Sequence, residues 1–340
     1  MSTTGNFATY QATRHFASLD GLRCLSILGV IWHHTGAPGY PTVALLQNGG
    51  YGVWLFFSIS GFLITTLLLR EKRRNGFVAM KNFIIRRALR IFPLYYTVLI
   101  AYVVLVRVLE HDSIEGREFL RNLKFYLSYS SNWGVPFGDG RVIFYFAWSL
   151  AVEEQFYMVW PWAEKYLRPV GAGLLMLVVC GAALHFGQPP FAAIGCGVLL
   201  AHVIDSERGF RWAFSVLGRK WSAPLALCLV LILIGSPRAP LEGILVAMTL
   251  LVVATTMREN HLLQRPLTLT PIVRTGQISY GMYLLHMLTA NVVKSGMTAA
   301  GLDFYLLDFI ATTSTVIVVA QLSFTYYESI FLRMKVRYAA

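Results

Sequence analysis

The chain consists mostly of long apolar segments separated by short polar ones. A bilayer core about 30 Å thick takes about 20 apolar residues per helix. By that measure the pattern predicts ten membrane-spanning helices, at roughly 17–35, 51–69, 91–109, 143–162, 170–186, 190–204, 222–236, 240–257, 276–294 and 306–331. Polar residues interrupt the aromatic stretch 119–133, which indicates a surface or re-entrant segment. The sequence therefore predicts an all-α integral membrane protein, a bundle of about ten transmembrane helices.

Composition and charge agree with a membrane protein. Of 340 residues, 56% are apolar and 14% charged, whereas soluble proteins are about 25% charged. A net charge of +12 in a soluble protein would suggest a nucleic-acid partner, but here the basic residues favour one side of the predicted helices by about three to one. This bias predicts both termini in the cytoplasm, no nucleic-acid partner and a multi-pass protein of the cell membrane. Cytoplasmic tails 1–16 and 333–340 would flank a transmembrane domain at 17–332.

Ionisable residues inside apolar helices are costly and therefore indicate function. The first apolar run contains Asp20 and Arg23, unlike a cleavable signal peptide, so this helix is expected to remain. Arg23 and His34 are eleven residues apart, which places them on one face and about 16 Å apart along the axis. Such a pair could bind an anionic head near the surface and supply a base at depth. The alternative is a snorkelling arginine and a hydrogen-bonded core histidine, and His33 is interpreted as a packing or supporting residue.

Two further predicted spans carry ionisable residues near mid-depth. Glu153 lies at a depth similar to that of His34, and Glu154 points about 100° away from it. A carboxylate that accepts from an imidazole would fix its tautomer, although a structural carboxylate is the alternative. Ser279, Tyr283 and His286 follow an i, i+4, i+7 spacing, so a helix would present them as one polar stripe. His286 is equally compatible with a satisfied core histidine.

A dense basic run extends from Arg70 to Arg90 and exceeds what orientation alone requires, so it could hold an anionic ligand or lipid headgroups. Arg86 and Arg90 share a helix face, and Pro93 suits the first turn of the third predicted span. Two guanidinium groups at this spacing suit phosphate groups, while an interfacial anchor is the simpler interpretation.

Small residues, single cysteines and the absence of several catalytic motifs narrow the kinds of site that the chain can contain. Ser58 and Gly61 are small enough to let helices approach closely. Four single cysteines are interpreted as packing residues: Cys24, Cys180, Cys196 and Cys228. The chain lacks GxSxG, Walker A, HExxH and paired metal-ligand motifs, so hydrolase, phosphate-loop and zinc sites have no support, and neither a metal nor a bound cofactor is expected.

Five motifs in order carry a family resemblance. LDGLR at 19–23 is followed by ten residues and His34, and YGVWLFFSISGFLI, RRALRIFP, WSLAVEEQFY and GQISYGMYLLH come after it. This series resembles the membrane acyltransferases of family three, which O-acylate lipopolysaccharide, exopolysaccharides and some macrolides. The match runs from 19 to 286. Cys24 stands where Gly or Ala is common, Ser329 follows Glu328 where Pro is frequent, and the esterase-like domain of some members is expected to be absent.

The resemblance implies a ten-helix bundle that takes an acyl group from cytoplasmic acyl-CoA to a hydroxyl group, often on the far side of the membrane. It implies that His34 is the essential histidine, Arg23 its partner and Glu153 the carboxylate of the fourth motif. Substrate and acyl-CoA contacts are expected from the basic motif and the later motifs, namely Arg86, Arg87, Arg90, Ser149, Tyr157, Tyr283 and His286. His34 would act as a general base or carry the acyl group as acyl-imidazole.

The predicted function is therefore transfer of an acyl group, with acetyl favoured by the resemblance, from acyl-CoA to a carbohydrate such as a cell-surface polysaccharide or lipopolysaccharide. A macrolide or other small-molecule acceptor is the alternative within this class. A proton-coupled transporter, with membrane-buried His and Glu as relay, is the competing class, ahead of a non-catalytic scaffold. The outer segment 110–141, with Trp133, Asp139 and Arg141, is the expected place of acceptor recognition because aromatic faces suit sugar rings.

Overall fold

The structure is a computed structural model that describes residues 7–13, 15–36, 39–40, 42–136, 141–258, 260–302 and 304–338. Asp139, named above, lies outside the described residues. All regular elements in these ranges are helices. The long ones are Ala17–Thr35 (α1), Tyr51–Asn75 (α2), Met80–Leu109 (α3), Ala147–Tyr166 (α4), Pro169–His185 (α5), Pro189–Asp205 (α6), Glu207–Leu217 (α7), Ser222–Ile234 (α8), Leu241–Met257 (α9), Ser279–Ala299 (α10) and Tyr305–Leu322 (α11).

Shorter helical pieces connect or extend these helices. The α-helical ones are Phe7–Ala12, Ala44–Gln47, Ile114–Arg121, Leu123–Leu127, Ser131–Gly134, Gln264–Leu267, Thr270–Gln277 and Ser329–Lys335. Asn48–Gly50 and Val336–Tyr338 are 3₁₀ turns, and Ser323–Glu328 is a π-helical segment that continues α11. The segment predicted as surface or re-entrant is thus helical in pieces.

Each of the ten predicted spans overlaps a helix, and the bounds differ most at the start of the third and at the end of the second, where the helix runs on to Asn75. The tenth corresponds to α11 together with the helical pieces that continue it to Lys335. Helix α3 begins at Met80, so the basic motif is helical and Pro93 lies inside the helix. The prediction that Pro93 sits in the first turn is therefore wrong. A proline costs the helix one N–H bond, but the carbonyl of Pro93 still accepts from the Thr97 hydroxyl at 2.9 Å and from the Tyr327 hydroxyl at 3.3 Å.

Several helices are compatible with a membrane protein. By length and composition, the described residues contain three stretches able to cross a bilayer: Ala44–Asn75, Met80–Leu109 and Tyr305–Lys335. Helices α6 and α7 make a fourth if the pair, bent by 111°, is one span, and α5, α8 and α9 are shorter apolar helices. The number of crossings and the side of each terminus stay predictions.

The chain divides into two compact units, and the first comprises Met1–Gly76 and Leu167–Leu322. An apolar core of this unit joins helices that include α1, α2, α6 and α9, with Leu22, Phe62, Ile204 and Leu251 among the fully enclosed side chains. Helices α6 and α9 are apolar on nearly all sides, as is typical of helices that other helices or lipid surround.

Three cations of the basic run stabilise the first unit internally. Arg70 donates to the carbonyls of Thr13 and Tyr10, Lys72 donates to the carbonyl of Leu167, and Arg73 forms an ion pair with Asp205. These three side chains therefore bind protein groups, and the anionic-ligand role predicted for the run stays a prediction.

Close packing through small residues, predicted for Ser58 and Gly61, is confirmed. A Cβ atom added to Gly61 on α2 would lie 2.0 Å from the carbonyl oxygen of Ile194 on α6, and one added to Gly197 would lie 2.3 Å from that of Ser58. Because both neighbours are backbone atoms, neither can move aside cheaply.

Gly61→Ala is therefore expected to lower the melting temperature of the detergent-solubilised protein by several degrees, since overpacking costs about 1–3 kcal/mol. Gly181→Ala on α5 is the matched control, because a Cβ there meets no heavy atom within 4 Å. The control should unfold at or slightly above the wild-type temperature, as alanine favours helices. Equal melting temperatures for the two variants would contradict this packing.

The second unit comprises Phe77–Tyr166 and Ser323–Ala340. Helices α3 and α4 enclose an aromatic core with the short helices between them, in which Tyr95 and Tyr126 are almost fully buried. The Tyr95 hydroxyl donates to the carbonyl of Tyr126 at 2.8 Å, and the Tyr126 hydroxyl donates to that of Ile143 at 3.0 Å. Buried hydroxyl groups satisfied in this way fix the connection between α3 and α4.

Candidate active site

The N-terminal end of α1 holds a buried carboxylate that contacts an arginine and a histidine. The Arg23 guanidinium donates to Asp20 Oδ1 at 3.0 Å, and the His15 ring lies 2.9 Å from Asp20 Oδ2. Asp20 is buried, whereas about a quarter of the Arg23 side chain is exposed. The backbone around Gly276 lies close to that of Asp20. A Cβ atom added to Gly276 would lie 1.9 Å from the carbonyl oxygen of Asp20. The glycine of the last motif thus lets Thr270–Gln277 pack directly against the first motif.

A second polar pair lies at the same end of α1. The Ser18 hydroxyl is 3.0 Å from Nε2 of His261, and both side chains are buried. Burial lowers the pKa of His261 from its ordinary value to about 4. The ring is therefore neutral at physiological pH, and this pair contributes a hydrogen bond rather than a charge.

The C-terminal end of α1 brings histidines together. The His34 ring lies 5.3 Å from that of His286 on α10, measured between ring centroids, and 5.0 Å from that of His33. His286 is buried, His34 is half-buried and His33 is exposed. Nδ1 of His33 donates to the carbonyl of Gln47 at 3.0 Å. The structure thus joins two predicted site residues from separate helices, His34 and His286.

Hydrogen bonding fixes the tautomer of His286. Its Nδ1 lies 2.5 Å from the carbonyl oxygen of Tyr283, which can only accept, so Nδ1 carries the hydrogen and Nε2 is an acceptor. The Tyr283 ring lies 5.5 Å from that of His286. Ser279, Tyr283 and His286 all lie on α10 and are all buried.

The predicted site residues of α3 and α4 belong to the second unit. The Tyr157 hydroxyl donates to Oε1 of Glu153 at 3.1 Å, and the Arg87 guanidinium lies 5.5 Å from the centre of the Tyr157 ring. The structure therefore assembles Arg87, Tyr157 and Glu153. Ser149 is buried and donates to the carbonyl of Phe146 at 3.1 Å, at the start of α4. The predicted bond between Glu153 and His34 stays a prediction.

The remaining arginines of the basic motif face the last part of the chain. Arg86 donates to the carbonyl of Tyr338 at 2.7 Å. Arg86, Arg87 and Arg90 all lie within electrostatic range of the half-buried Lys335, and the charge of Arg90 also acts on Glu328. Four cations close together favour a bound polyanion, because phosphate groups offset their mutual repulsion.

Sequence reasoning missed several of these neighbours. The i, i+3 spacing of Asp20 and Arg23 could have identified their ion pair, but no local pattern links Ser18 to His261 or Lys335 to the arginines. Among the described residues, no group of three or more His, Cys, Asp or Glu is placed to hold a metal ion.

Comparison with known proteins identifies the family of this chain. The model of the acyltransferase family 3 domain matches residues 16–325. The peptidoglycan O-acetyltransferase of Listeria monocytogenes is 28% identical to this chain, over 94% of this chain and 56% of its own length. A Staphylococcus aureus protein provisionally named an O-acetyltransferase is 25% identical, over 97% and 59%.

The chain therefore spans somewhat more than half the length of these curated relatives. No solved structure matches it significantly. Both relatives extend beyond the matched region, whereas the family model covers the helices that carry the motifs, from α1 through α11. On the strength of that match, the chain belongs to acyltransferase family 3.

Proposed function

We propose that the chain is a membrane O-acyltransferase that transfers an acetyl group from acetyl-CoA to a hydroxyl group of a carbohydrate. Family membership and the peptidoglycan O-acetyltransferase among the relatives support the reaction class and the acceptor class. The observation that carries the proposal is the contact between His34 and His286 at one end of α1, with the Arg23–Asp20 pair at the other. The separation of about 16 Å along the helix suits a pantetheine arm.

The chemistry follows from an imidazole beside the acceptor hydroxyl. His34 removes the hydroxyl proton, and the oxygen attacks the thioester carbonyl of acetyl-CoA. The C–S bond then breaks, and the imidazolium returns the proton to the departing thiolate. In the alternative, the His34 nitrogen attacks the thioester first, the C–S bond breaks, and CoA leaves with the imidazole proton as the free thiol. The acceptor hydroxyl then attacks the acyl-imidazole, the C–N bond breaks, and the hydroxyl proton passes to the freed imidazole. The Nδ1 of His286 is hydrogen-bonded to the carbonyl of Tyr283, so its Nε2 is an acceptor. In both versions of the mechanism, His286 helps to position the neighbouring His34 ring.

Each unit by itself offers guanidinium groups that suit the phosphates of the donor. Arg23 uses one nitrogen for Asp20, and its other N–H groups remain suited to a phosphate oxygen. In the second unit, Arg86, Arg87, Arg90 and Lys335 form a cation cluster with the charge that a nucleotide phosphate group requires.

A comparison of two acetyl donors, with and without nucleotide phosphates, tests whether the basic motif binds these phosphates. The Arg86→Ala/Arg90→Ala variant is expected to raise the KM for acetyl-CoA by at least about 100-fold, because it removes two charged donors and a hydrogen bond to a charged group contributes about 1.5–3 kcal/mol. With acetyl-pantetheine, which lacks the nucleotide phosphates, the variant and the wild type should have the same KM. Initial rates of acetyl transfer by the purified protein provide both values.

Arg121→Ala is the matched control, since Arg121 is a highly exposed cation of the same unit. It should leave both KM values unchanged. An equal increase of KM for acetyl-CoA and acetyl-pantetheine in the double variant would contradict phosphate binding by the basic motif.

A further inference from the structure

An exposed tryptophan in the second unit has an unusual orientation. Trp133, on the short helix Ser131–Gly134, is 59% exposed, yet its indole N–H donates to Oε1 of Gln155 on α4 at 3.0 Å. A tryptophan that anchors a protein at a membrane surface has its N–H available to water and headgroups. Trp133 instead turns its polar edge to the protein and leaves much of its aromatic surface exposed.

The Gln155 amide that holds Trp133 is itself fixed. Its Nε2 donates to the carbonyl of Tyr129 and to Oδ1 of Asn132, each at 2.8 Å, and the Asn132 amide lies 3.4 Å from Oε1. Because the Tyr129 carbonyl can only accept, it sets the amide orientation and directs Oε1 to the indole N–H. Both N–H groups and the oxygen of Gln155 are occupied, so a fixed acceptor holds the indole N–H before any ligand arrives.

Backbone strain at Tyr129 supports this arrangement. Tyr129 has a φ of 51°, a left-handed conformation that costs a residue other than glycine about 1–2 kcal/mol. Its ring stacks on those of Tyr95, at 4.3 Å, and Phe92, at 5.5 Å, and this packing maintains the strained turn. A strained backbone of this kind persists where the packing around it holds it in place, and it occurs preferentially at functional sites.

We propose that Trp133 is the stacking platform for one pyranose ring of the carbohydrate acceptor, with Gln155, Asn132 and Tyr129 as positioning residues. The C–H groups on one face of a pyranose carry partial positive charge and suit the negative face of an indole. A pre-oriented ring binds with little loss of side-chain entropy. This inference rests on the proposed function, because it names the acceptor contact of that reaction.

The kinetics of acetyl transfer to a defined oligosaccharide test whether Trp133 binds the acceptor. The full chain in liposomes is given acetyl-CoA and N-acetylchitopentaose, a β-linked oligosaccharide of pyranose rings. Trp133→Ala is expected to raise the KM for the oligosaccharide at least tenfold and to leave the KM for acetyl-CoA unchanged, while Trp133→Phe recovers part of the loss. Trp212→Ala, which removes another exposed tryptophan, in the first unit, should match the wild type.

A double-mutant cycle tests the positioning role of Gln155. Gln155→Leu is expected to raise the same KM in the wild-type background and to have no further effect in Trp133→Ala, because both changes act through one ring. Additive effects would contradict that role.

Direct binding separates this inference from the proposed function. Saturation-transfer NMR with N-acetylchitopentaose should show binding to the wild type and its loss in Trp133→Ala. Binding without acetyl transfer by the wild type would overturn the proposed function while upholding the platform. The platform would be overturned if the wild type did not bind the oligosaccharide. It would also be overturned if Trp133→Ala bound the oligosaccharide as well as the wild type does, or had the same KM for it. A membrane anchor would instead weaken liposome association in Trp133→Ala with an unchanged acceptor KM.

Discussion

Replacement of His34 with alanine is expected to reduce the turnover number of acetyl transfer by at least about 100-fold, since general base catalysis contributes 10²- to 10⁴-fold. Both versions of the mechanism require this imidazole, as base or as acyl carrier. The measurement is the initial rate of label transfer from acetyl-CoA to an oligosaccharide, at saturating donor and acceptor, by the purified protein. A His34→Ala protein with the normal rate would exclude both versions.

The adjacent histidine offers a matched control. His33 is exposed, and its Nδ1 donates to the carbonyl of Gln47. In His33→Asn the amide nitrogen can take over that bond, so the turnover number should stay within about threefold of the wild type. A loss in His33→Asn as large as that in His34→Ala would show that the loss reflects a disturbed helix end rather than lost base chemistry.

Replacement of Arg23 with alanine is expected to impair both stability and transfer. Among the residues that the structure describes, the exposed His15 is then the remaining ion-pair partner of the buried Asp20. Removing one member of a buried ion pair costs about 3–5 kcal/mol, so the melting temperature of Arg23→Ala should fall by several degrees. Transfer should fall about 100-fold, because the donor loses a guanidinium contact.

A second substitution separates the two effects. In Arg23→Ala/Asp20→Asn the uncompensated carboxylate is gone, so the melting temperature should return close to that of the wild type. Transfer from acetyl-CoA should remain low, because the guanidinium is still missing. Recovery of both stability and transfer would mean that Arg23 serves only to neutralise Asp20.

The helices were predictable because apolar segments of bilayer length leave few other structures available to the chain. Each predicted span overlaps a helix. The start of α3 was not predictable from Pro93, since a proline can lie inside a helix whose other residues form it strongly and pack well. The basic run likewise appeared uniform, although Arg70 and Arg73 bind groups of the first unit that are distant in sequence.

The site was predictable where one helix supplies both residues. Arg23 and His34 lie on one unbroken helix, as their spacing indicates. Contacts between helices, such as that of His34 with His286, depend on helix rotation and packing, which periodicity limits but does not determine. The link from Trp133 to Gln155 depends on a strained turn at Tyr129 that no local sequence rule predicts for a tyrosine.

Reconstitution tests the central claim most directly. Purified protein in liposomes, supplied with acetyl-CoA labelled in the acetyl group and N-acetylchitopentaose, should release one CoA for each labelled acetyl group that appears as an ester on the oligosaccharide. That stoichiometry is the result expected of an O-acyltransferase. Uptake of oligosaccharide into the liposomes without consumption of acetyl-CoA would contradict the account and indicate a transporter instead.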